Sequence, residues 1–125
     1  MNFHTIEWKN DSVVMIDQRK LPDQEIYNEY KDYAGVATAI KDMVVRGAPA
    51  IGVAAAMGIA LGVRQIEKRE EFKDQLECIC KTIKSTRPTA VNLFWAVDRM
   101  RHVYQQHKKA TLEELKELLN SFSYI

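Results

Sequence analysis

The sequence predicts an α+β fold in which a small N-terminal antiparallel β-sheet packs on a helical bundle. Short runs rich in β-branched residues, separated by turn residues, occupy about residues 1–31. Apolar residues recur at spacings of three and four over about residues 32–123, which is typical of amphipathic helices. A length of 125 residues, with 46% hydrophobic and 28% charged residues, suits one globular domain with a modest core. We therefore expect residues 1–125 to form one domain.

Three extended segments are predicted in the N-terminal part. Ile6–Trp8 and Val13–Ile16 lie on either side of the turn residues Lys9–Ser12. A third segment, from Glu25 to Tyr30, follows Leu21-Pro22. The short connections favour an antiparallel meander.

The first two of five predicted helices surround an arginine-glycine turn. The first helix begins after the N-cap residue Asp32 and continues through Val44, just before Arg46-Gly47. The second runs from about Ala50 to Arg64 and is rich in glycine and alanine, which predicts close packing against other helices. The uncharged run Ala48–Val63 would span about 24 Å as a helix, less than a membrane core of about 30 Å. It is therefore interpreted as a buried helix of a soluble protein.

Three further helices complete the predicted bundle. The third ends at the breaker Ser85–Pro88, the fourth runs from about Thr89 to His107, and the fifth follows a capping box formed by Thr111 and Glu114. Each has apolar residues at helical spacing, which predicts that one face is buried. The predicted core residues of the third and fourth helices are Phe72, Leu76, Ile79, Cys80, Ile83, Val91, Phe94, Trp95, Val97, Met100 and Tyr104.

The net charge limits the kinds of molecule that the protein is expected to bind, and the N-terminal residues indicate where it is located. Eighteen basic and seventeen acidic residues give a net charge of +1, without the basic excess typical of proteins that bind nucleic acid or anionic membranes. Glu7, Lys9 and Asp11 interrupt the region where a secretory signal would be uninterrupted and apolar. The sequence therefore predicts a cytoplasmic protein with no nucleic-acid or membrane partner.

The most informative segment is Val45–Gly52, where an arginine and a glycine directly precede a helix with an early proline. Backbone N–H groups at a helix start have no intrahelical partner and carry partial positive charge, so they favour anions. Gly47 permits close backbone approach, and Pro49 suits the first helical position. A second arginine, Arg87, similarly precedes the fourth helix. Convergence of both arginines on one oxyanion and ordinary loop-anchoring salt bridges are the two interpretations of this pattern.

The remaining polar candidates are three scattered histidines and two isolated carboxylates: His4, His102, His107, Asp42 and Asp98. His102 and His107 are five residues apart on a predicted helix, a poor spacing for one metal ion. The single carboxylates have no paired partner that would indicate acid–base catalysis. We therefore expect surface histidines, helix-capping or solvated carboxylates, and no metal site.

The two cysteines, Cys78 and Cys80, are two residues apart on a predicted helix and should point to nearly opposite sides. One is expected to be packed and the other partly exposed. A reducing compartment and this geometry both argue against a disulfide bond.

Two long motifs carry a family resemblance. Val44–Ala56 and Thr86–Ala96 closely resemble the corresponding motifs of the 5-methylthioribose-1-phosphate isomerase family. Ile6–Trp8 and Ile16–Pro22 also look like the N-terminus of that family. The resemblance extends over essentially the whole chain.

The resemblance implies an aldose–ketose isomerase of methionine salvage that converts methylthioribose 1-phosphate to methylthioribulose 1-phosphate without a cofactor. It implies that Arg46, Gly47, Ala48 and Arg87 bind the sugar-phosphate substrate, the glycine and alanine through backbone and the arginines through charge. It also implies a homodimer for the complete enzyme.

Phe94, Trp95 and Ala96 resemble the corresponding residues of the methylthioribose enzymes, in which an apolar wall would suit a methylthio group. Core packing explains these residues equally well.

The chain also departs from that family. Members of the family are much longer and carry a Rossmann-like C-terminal domain, absent here, that supplies a catalytic cysteine and a catalytic aspartate. Cys78 and Cys80 do not match that cysteine, so no residue of this chain is assigned to catalysis. We expect an N-terminal, phosphate-binding part of the enzyme, inactive alone, with exposed apolar surface and weak stability.

Three other functions remain open. Ribose 1,5-bisphosphate isomerases and the regulatory subunits of the eukaryotic nucleotide-exchange initiation factor belong to the same superfamily. A regulatory subunit is expected to lack one or both arginine motifs. A purely helical interaction domain is the third possibility, because the catalytic half is missing.

Overall fold

A computed structural model describes residues 6–45 and 47–123 of the chain. It confirms the α+β fold, with a three-stranded sheet followed by helices. The strands are β1 (Ile6–Lys9), β2 (Ser12–Ile16) and β3 (Tyr27–Tyr30). They pair antiparallel in the order β1-β2-β3, as the predicted meander requires.

The third strand is shorter than predicted, since it begins at Tyr27 rather than Glu25. Tyr27 pairs with Ile16, the last residue of β2, so no strand residue remains opposite Glu25. The residue before β3 is held by a hydrogen bond outside the β-ladder: the Asp17 N–H donates to the Ile26 carbonyl at 2.7 Å.

Five α-helices follow the sheet. They are α1 (Tyr33–Lys41), α2 (Ala48–Val63), α3 (Phe72–Lys84), α4 (Val91–Gln106) and α5 (Leu112–Phe122). Short 3-10 turns lie at Gln18–Lys20 and Arg69–Glu71. No helix of the described ranges combines the length and apolarity needed to cross a membrane.

Helix α2 is the centre of the bundle. It packs against all four other helices and against β1 and β2. A Cβ atom added at Gly58 would lie 2.8 Å from Val36 of α1, and one at Gly62 would lie 2.8 Å from Ile79 of α3. Real Cβ atoms do not approach that closely, so these glycines allow the close helix packing that the sequence predicts.

The predicted end of α1 is wrong, since the helix ends at Lys41 and not at Val44. Met43 adopts a left-handed conformation with φ of 64°. The Met43 N–H donates to the Ile40 carbonyl, and the Val44 N–H donates to the Ala39 carbonyl at 3.0 Å. These two bonds form a Schellman motif, which ends a helix even though the apolar spacing continues.

Two helix starts also differ from the predictions. Helix α2 begins at Ala48 rather than Ala50, so Pro49 occupies the second helical position rather than the first. Helix α4 begins at Val91 rather than Thr89. The Ala90 N–H donates to the Arg87 carbonyl at 3.0 Å, so the residues after Arg87 form a separate turn before the helix.

The predicted core face of α4 is partly wrong. Val97, Met100 and Tyr104 are buried, and Phe94 is half-buried against the core. Val91 and Trp95, in contrast, are 75% and 71% exposed. Residues four apart share a helix face, and this first-turn face borders open cavities instead of another element.

Candidate anion-binding site

The first turns of α2 and α4 line a common pocket with a volume of about 360 Å³. We call it the anion pocket, and its lining residues are Gly47, Ala48, Ile51, Arg87, Thr89, Ala90, Val91 and Asn92. Three of the four predicted substrate-binding residues, Gly47, Ala48 and Arg87, are therefore brought together. The fourth, Arg46, lies outside the described residues.

The α2 start requires glycine at its N-cap. Gly47 has φ of 94° and ψ of 134°, a backbone conformation that side chains strongly disfavour. A Cβ atom there would meet nothing within 4 Å, so the requirement is conformational rather than steric. No side chain caps this helix, and its first turn contains no acidic residue. The first amides, including that of Ala48, consequently have no intrahelical acceptor.

The α4 start has the same character. Its N-cap residue is Ala90, which has no side-chain acceptor to offer, and its first turn contains no acidic residue. The Ala90 carbonyl accepts from the amides of Leu93 and Phe94 at 3.1 and 3.3 Å. The preceding amides, those of Val91 and Asn92, have no acceptor within the helix. Two helix starts with unpaired N–H groups thus border one pocket, an arrangement that favours an anion.

Arg87 supplies a full positive charge to this pocket. Its Nη1 atom is buried and has no hydrogen-bond partner. Arg19, Arg64 and Arg101 instead each lie within 4.0 Å of a carboxylate. A buried donor without a partner is unfavourable by about 1–3 kcal/mol, more when charged. Within residues 6–45 and 47–123 Arg87 does not form the loop-anchoring salt bridge that was the alternative interpretation.

The segment that leads into the arginine-glycine turn is anchored to the 3-10 turn that follows β2. The Gln18 N–H donates to the Val44 carbonyl at 2.8 Å. Next to it, the nearly fully buried Asp17 carboxylate accepts from Arg19 Nε and Nη2 at 2.9 and 2.8 Å. The Arg19 hydrogen bond lowers the pKa of Asp17 to about 2. Sequence reasoning did not single out this anchor, because it depends on a contact between residues 26 positions apart.

A second cavity, an apolar groove between α2 and α4, lies next to the anion pocket. It has a volume of about 220 Å³ and is lined by Pro49, Gly52, Val53, Ala56, Asn92, Trp95, Ala96, Arg99, Met100 and Ser123. Asn92 lines both cavities. The pocket and the groove together therefore provide a charged end and an apolar end along the same pair of helices.

The other polar candidates lie elsewhere. His107 is the C-cap residue of α4, and its Nδ1 lies 2.8 Å from the Val103 carbonyl oxygen. His102 is exposed, and His4 falls outside the described residues. Asp98 Oδ1 lies 3.7 Å from Lys84 Nζ and 3.5 Å from Arg101 Nη1. This carboxylate is exposed on the surface of α4, as expected for a solvated helix residue. Among the residues with described positions, no three His, Cys, Asp or Glu residues are grouped to hold a metal ion.

The cysteines follow the sequence prediction. Cys78 is exposed, Cys80 is buried, and neither forms a disulfide bond. Burial raises the pKa of the Cys80 thiol to about 12, so this thiol stays protonated at neutral pH. Neither cysteine lines the anion pocket or the apolar groove.

The fold and the pocket together define a class: an α+β fold in which two adjacent uncapped helix starts border one pocket. The family model described as the initiation factor 2 subunit family matches residues 44–122, which include α2, α3, α4 and α5. The chain belongs to this family.

Curated proteins similar to this chain include methylthioribose-1-phosphate isomerases. The chain is 57% identical to that of Citrifermentans bemidjiense and 55% identical to that of Geobacter sulfurreducens. In both cases the match covers 97% of this chain and 36% of the relative. The chain thus spans about a third of the length of these relatives, and its resemblance to the isomerases extends over nearly all of its own length.

Two solved structures share the fold. The 5-methylthioribose 1-phosphate isomerase of Pyrococcus horikoshii superposes with a TM-score of 0.92 at 45% identity, over 96% of this chain and 34% of that one. The translation initiation factor eIF-2B subunit delta from A. fulgidus superposes with a TM-score of 0.88 at 37% identity, over 98% and 36%. Both an enzyme and a translation factor subunit therefore use this arrangement of strands and helices.

Proposed function

We propose that the chain provides the phosphate-binding part of an isomerase that converts methylthioribose 1-phosphate to methylthioribulose 1-phosphate. The observation that carries the proposal is the buried, unpartnered Nη1 of Arg87, a residue that lines a pocket bordered by two uncapped helix starts. A phosphate would satisfy this donor and the free amides together. The similarity to methylthioribose-1-phosphate isomerases over 97% of the chain supports this choice of substrate.

Each predicted site residue has a distinct role in this proposal. Gly47 and Ala48 offer backbone at the α2 start, and Arg87 offers a guanidinium whose planar donors match phosphate oxygens. Arg46, directly before Gly47, adds a second positive charge. Two positive charges and the helix starts would balance the two negative charges of a phosphate monoester.

Holding the phosphate is mechanistically important for this substrate. The phosphate is attached to the anomeric oxygen, so the sugar ring cannot open as that of a free aldose would. The protein must therefore fix the phosphate while hydrogen moves between the first two carbons. Among the described residues, those that line the anion pocket include no carboxylate, histidine or cysteine, and we assign no proton transfer to them.

The apolar groove gives the site a second end. Trp95 and Val53 present apolar surface there, and Trp95 is 71% exposed. A methylthio substituent at the far end of the substrate would cover part of this surface. The arrangement supports a ligand that is charged at one end and apolar at the other.

A binding subunit related to initiation factor 2B is the second candidate function. Its support is the TM-score of 0.88 with the delta subunit from A. fulgidus and the description of the matching family model. Isomerase turnover by the complete protein would exclude it as the main role. Binding to translation factor subunits without turnover would favour it instead.

The phosphate pocket is tested by replacing Arg87 with alanine. We expect Arg87→Ala to weaken inorganic phosphate and methylthioribose 1-phosphate binding by about 30-fold, since a charged hydrogen bond is lost. Lys109→Ala is the matched control, because it also removes one positive charge. Lys109 lies beyond the other end of α4, which is about 24 Å long. Calorimetric affinities that are equal for wild type and Arg87→Ala would contradict the proposal.

A further inference from the structure

Asn92 lies at the junction between the anion pocket and the apolar groove. It is the second residue of α4 and lines both cavities. Arg87 and Gly47 line only the anion pocket, whereas Trp95 and Met100 line only the groove. A ligand that occupied both cavities would therefore pass Asn92.

The side chain of Asn92 is available to such a ligand. Asn92 is exposed, and within the described ranges its side-chain amide makes no hydrogen bond. An amide offers two donors and an acceptor with two lone pairs, which matches the donor and acceptor character of a hydroxyl. Positive side chains such as Arg87 would instead select the phosphate.

The position of Asn92 is fixed by contact between the two helices. A Cβ atom added at Gly52 of α2 would lie 3.5 Å from the Asn92 carbonyl oxygen and 3.9 Å from its Cβ atom. The backbone of α4 therefore lies directly against α2 at this point. A polar group on a rigid helix start is held more accurately than one on a loop.

We propose that Asn92 is a specificity-determining residue whose side-chain amide hydrogen-bonds a sugar hydroxyl between the phosphate and the apolar substituent. The inference rests on the proposed function, because it assumes that the anion pocket holds the phosphate. It extends that function by assigning the recognition of the sugar itself to a residue of this chain. Asn92 would discriminate sugar phosphates from other phosphate compounds of similar charge.

The test compares two probes that differ in the sugar. Inorganic phosphate and ribose 1-phosphate are titrated into wild type, Asn92→Ala and Arg87→Ala, and affinities are taken from amide NMR shifts. We expect Asn92→Ala to weaken ribose 1-phosphate binding about fivefold, the effect of one neutral hydrogen bond, and to leave phosphate binding unchanged. Arg87→Ala should weaken both probes. The matched control is Gln105→Ala, at an exposed amide near the other end of α4.

The outcomes separate this inference from the function on which it rests. Equal affinities of wild type and Asn92→Ala for ribose 1-phosphate, or equal losses for both probes, overturn the role of Asn92 and leave the phosphate pocket intact. Absence of phosphate binding by wild type overturns the pocket and the inference together. Asn92→Ser is a second variant, with a smaller side chain that is still polar. Circular dichroism of both variants detects a folding defect. It should weaken ribose 1-phosphate binding without changing phosphate binding.

Discussion

The helix starts of this domain fall into two contrasting regions. Helices α1 and α5 begin with side-chain caps: the Asp32 carboxylate accepts from the Gly35 N–H at 2.7 Å, and Thr111 forms a capping box with Glu114. Helices α2 and α4 have Gly47 and Ala90 as their N-cap residues, which provide no side-chain acceptor. The uncapped pair borders the anion pocket, whereas the capped pair does not line it.

Acidic residues in the first turn also distinguish two of the other helix starts from α2 and α4. Helix α5 has Glu113 and Glu114 in its first turn, and α3, which lacks a side-chain cap, has Asp74 there. The first turns of α2 and α4 have neither a side-chain cap nor an acidic residue. A capped start uses its N–H groups for stability, whereas an open start leaves them for an external anion. The open starts therefore support the proposed anion site more strongly than the cavity volume does.

The largest expected effect comes from closing one open start. Ala90→Asp would place a carboxylate at the N-cap of α4, where it can accept from the first-turn amides. We expect the free energy of unfolding to rise by about 1 kcal/mol. Phosphate affinity should fall by about 30-fold, because the new charge repels the anion and occupies its donors. Urea denaturation and calorimetry measure the two effects.

Ala90→Ser separates capping from charge in that experiment. A serine hydroxyl can cap the helix but carries no negative charge. It should give a similar gain in stability with a smaller loss of phosphate affinity. An affinity for phosphate that survives Ala90→Asp unchanged would show that the α4 start takes no part in anion binding.

A smaller effect is expected from removing the glycine at the other open start. Gly47→Ala should lower the free energy of unfolding by about 1.5 kcal/mol, because φ of 94° strains a residue with a Cβ atom. The side chain itself meets nothing within 4 Å. Gly52→Ala is the matched control inside α2, where alanine should instead stabilise by about 0.5–1 kcal/mol. Chemical denaturation that gives both variants the same sign of change would contradict this explanation.

Much of the fold could be predicted because it follows from local patterns. The β-branched runs between turn residues, the period near 3.6 in the helices and the Thr111–Glu114 capping box all depend on nearby residues. Errors arose where a backbone motif interrupted a continuing pattern. Met43 ends α1 in a left-handed conformation although the apolar spacing runs on to Val44. Apolar periodicity also could not distinguish a core face from a cavity face at Trp95.

The candidate site was partly predictable for the same reason. The arginine-glycine turn and Arg87 are local signals, and the structure brings Gly47, Ala48 and Arg87 around one pocket. Asn92 and the apolar groove depend on how α2 packs on α4, which no local pattern encodes. The unpartnered state of Arg87 Nη1 likewise required the positions of all neighbouring carboxylates. Sequence therefore indicated the charges of the site, and tertiary packing its shape.

The smallest expected effect concerns a capped start. Thr111→Ala removes the hydroxyl that accepts from the Glu114 N–H at 3.2 Å. We expect the free energy of unfolding to fall by about 1 kcal/mol, measured by urea denaturation, and phosphate affinity to stay within twofold of wild type. Thr111→Ser, which keeps the acceptor, is the control and should lose little stability. A drop in phosphate affinity for Thr111→Ala would mean that capped and open starts are energetically coupled, and the division between stability and binding would then fail.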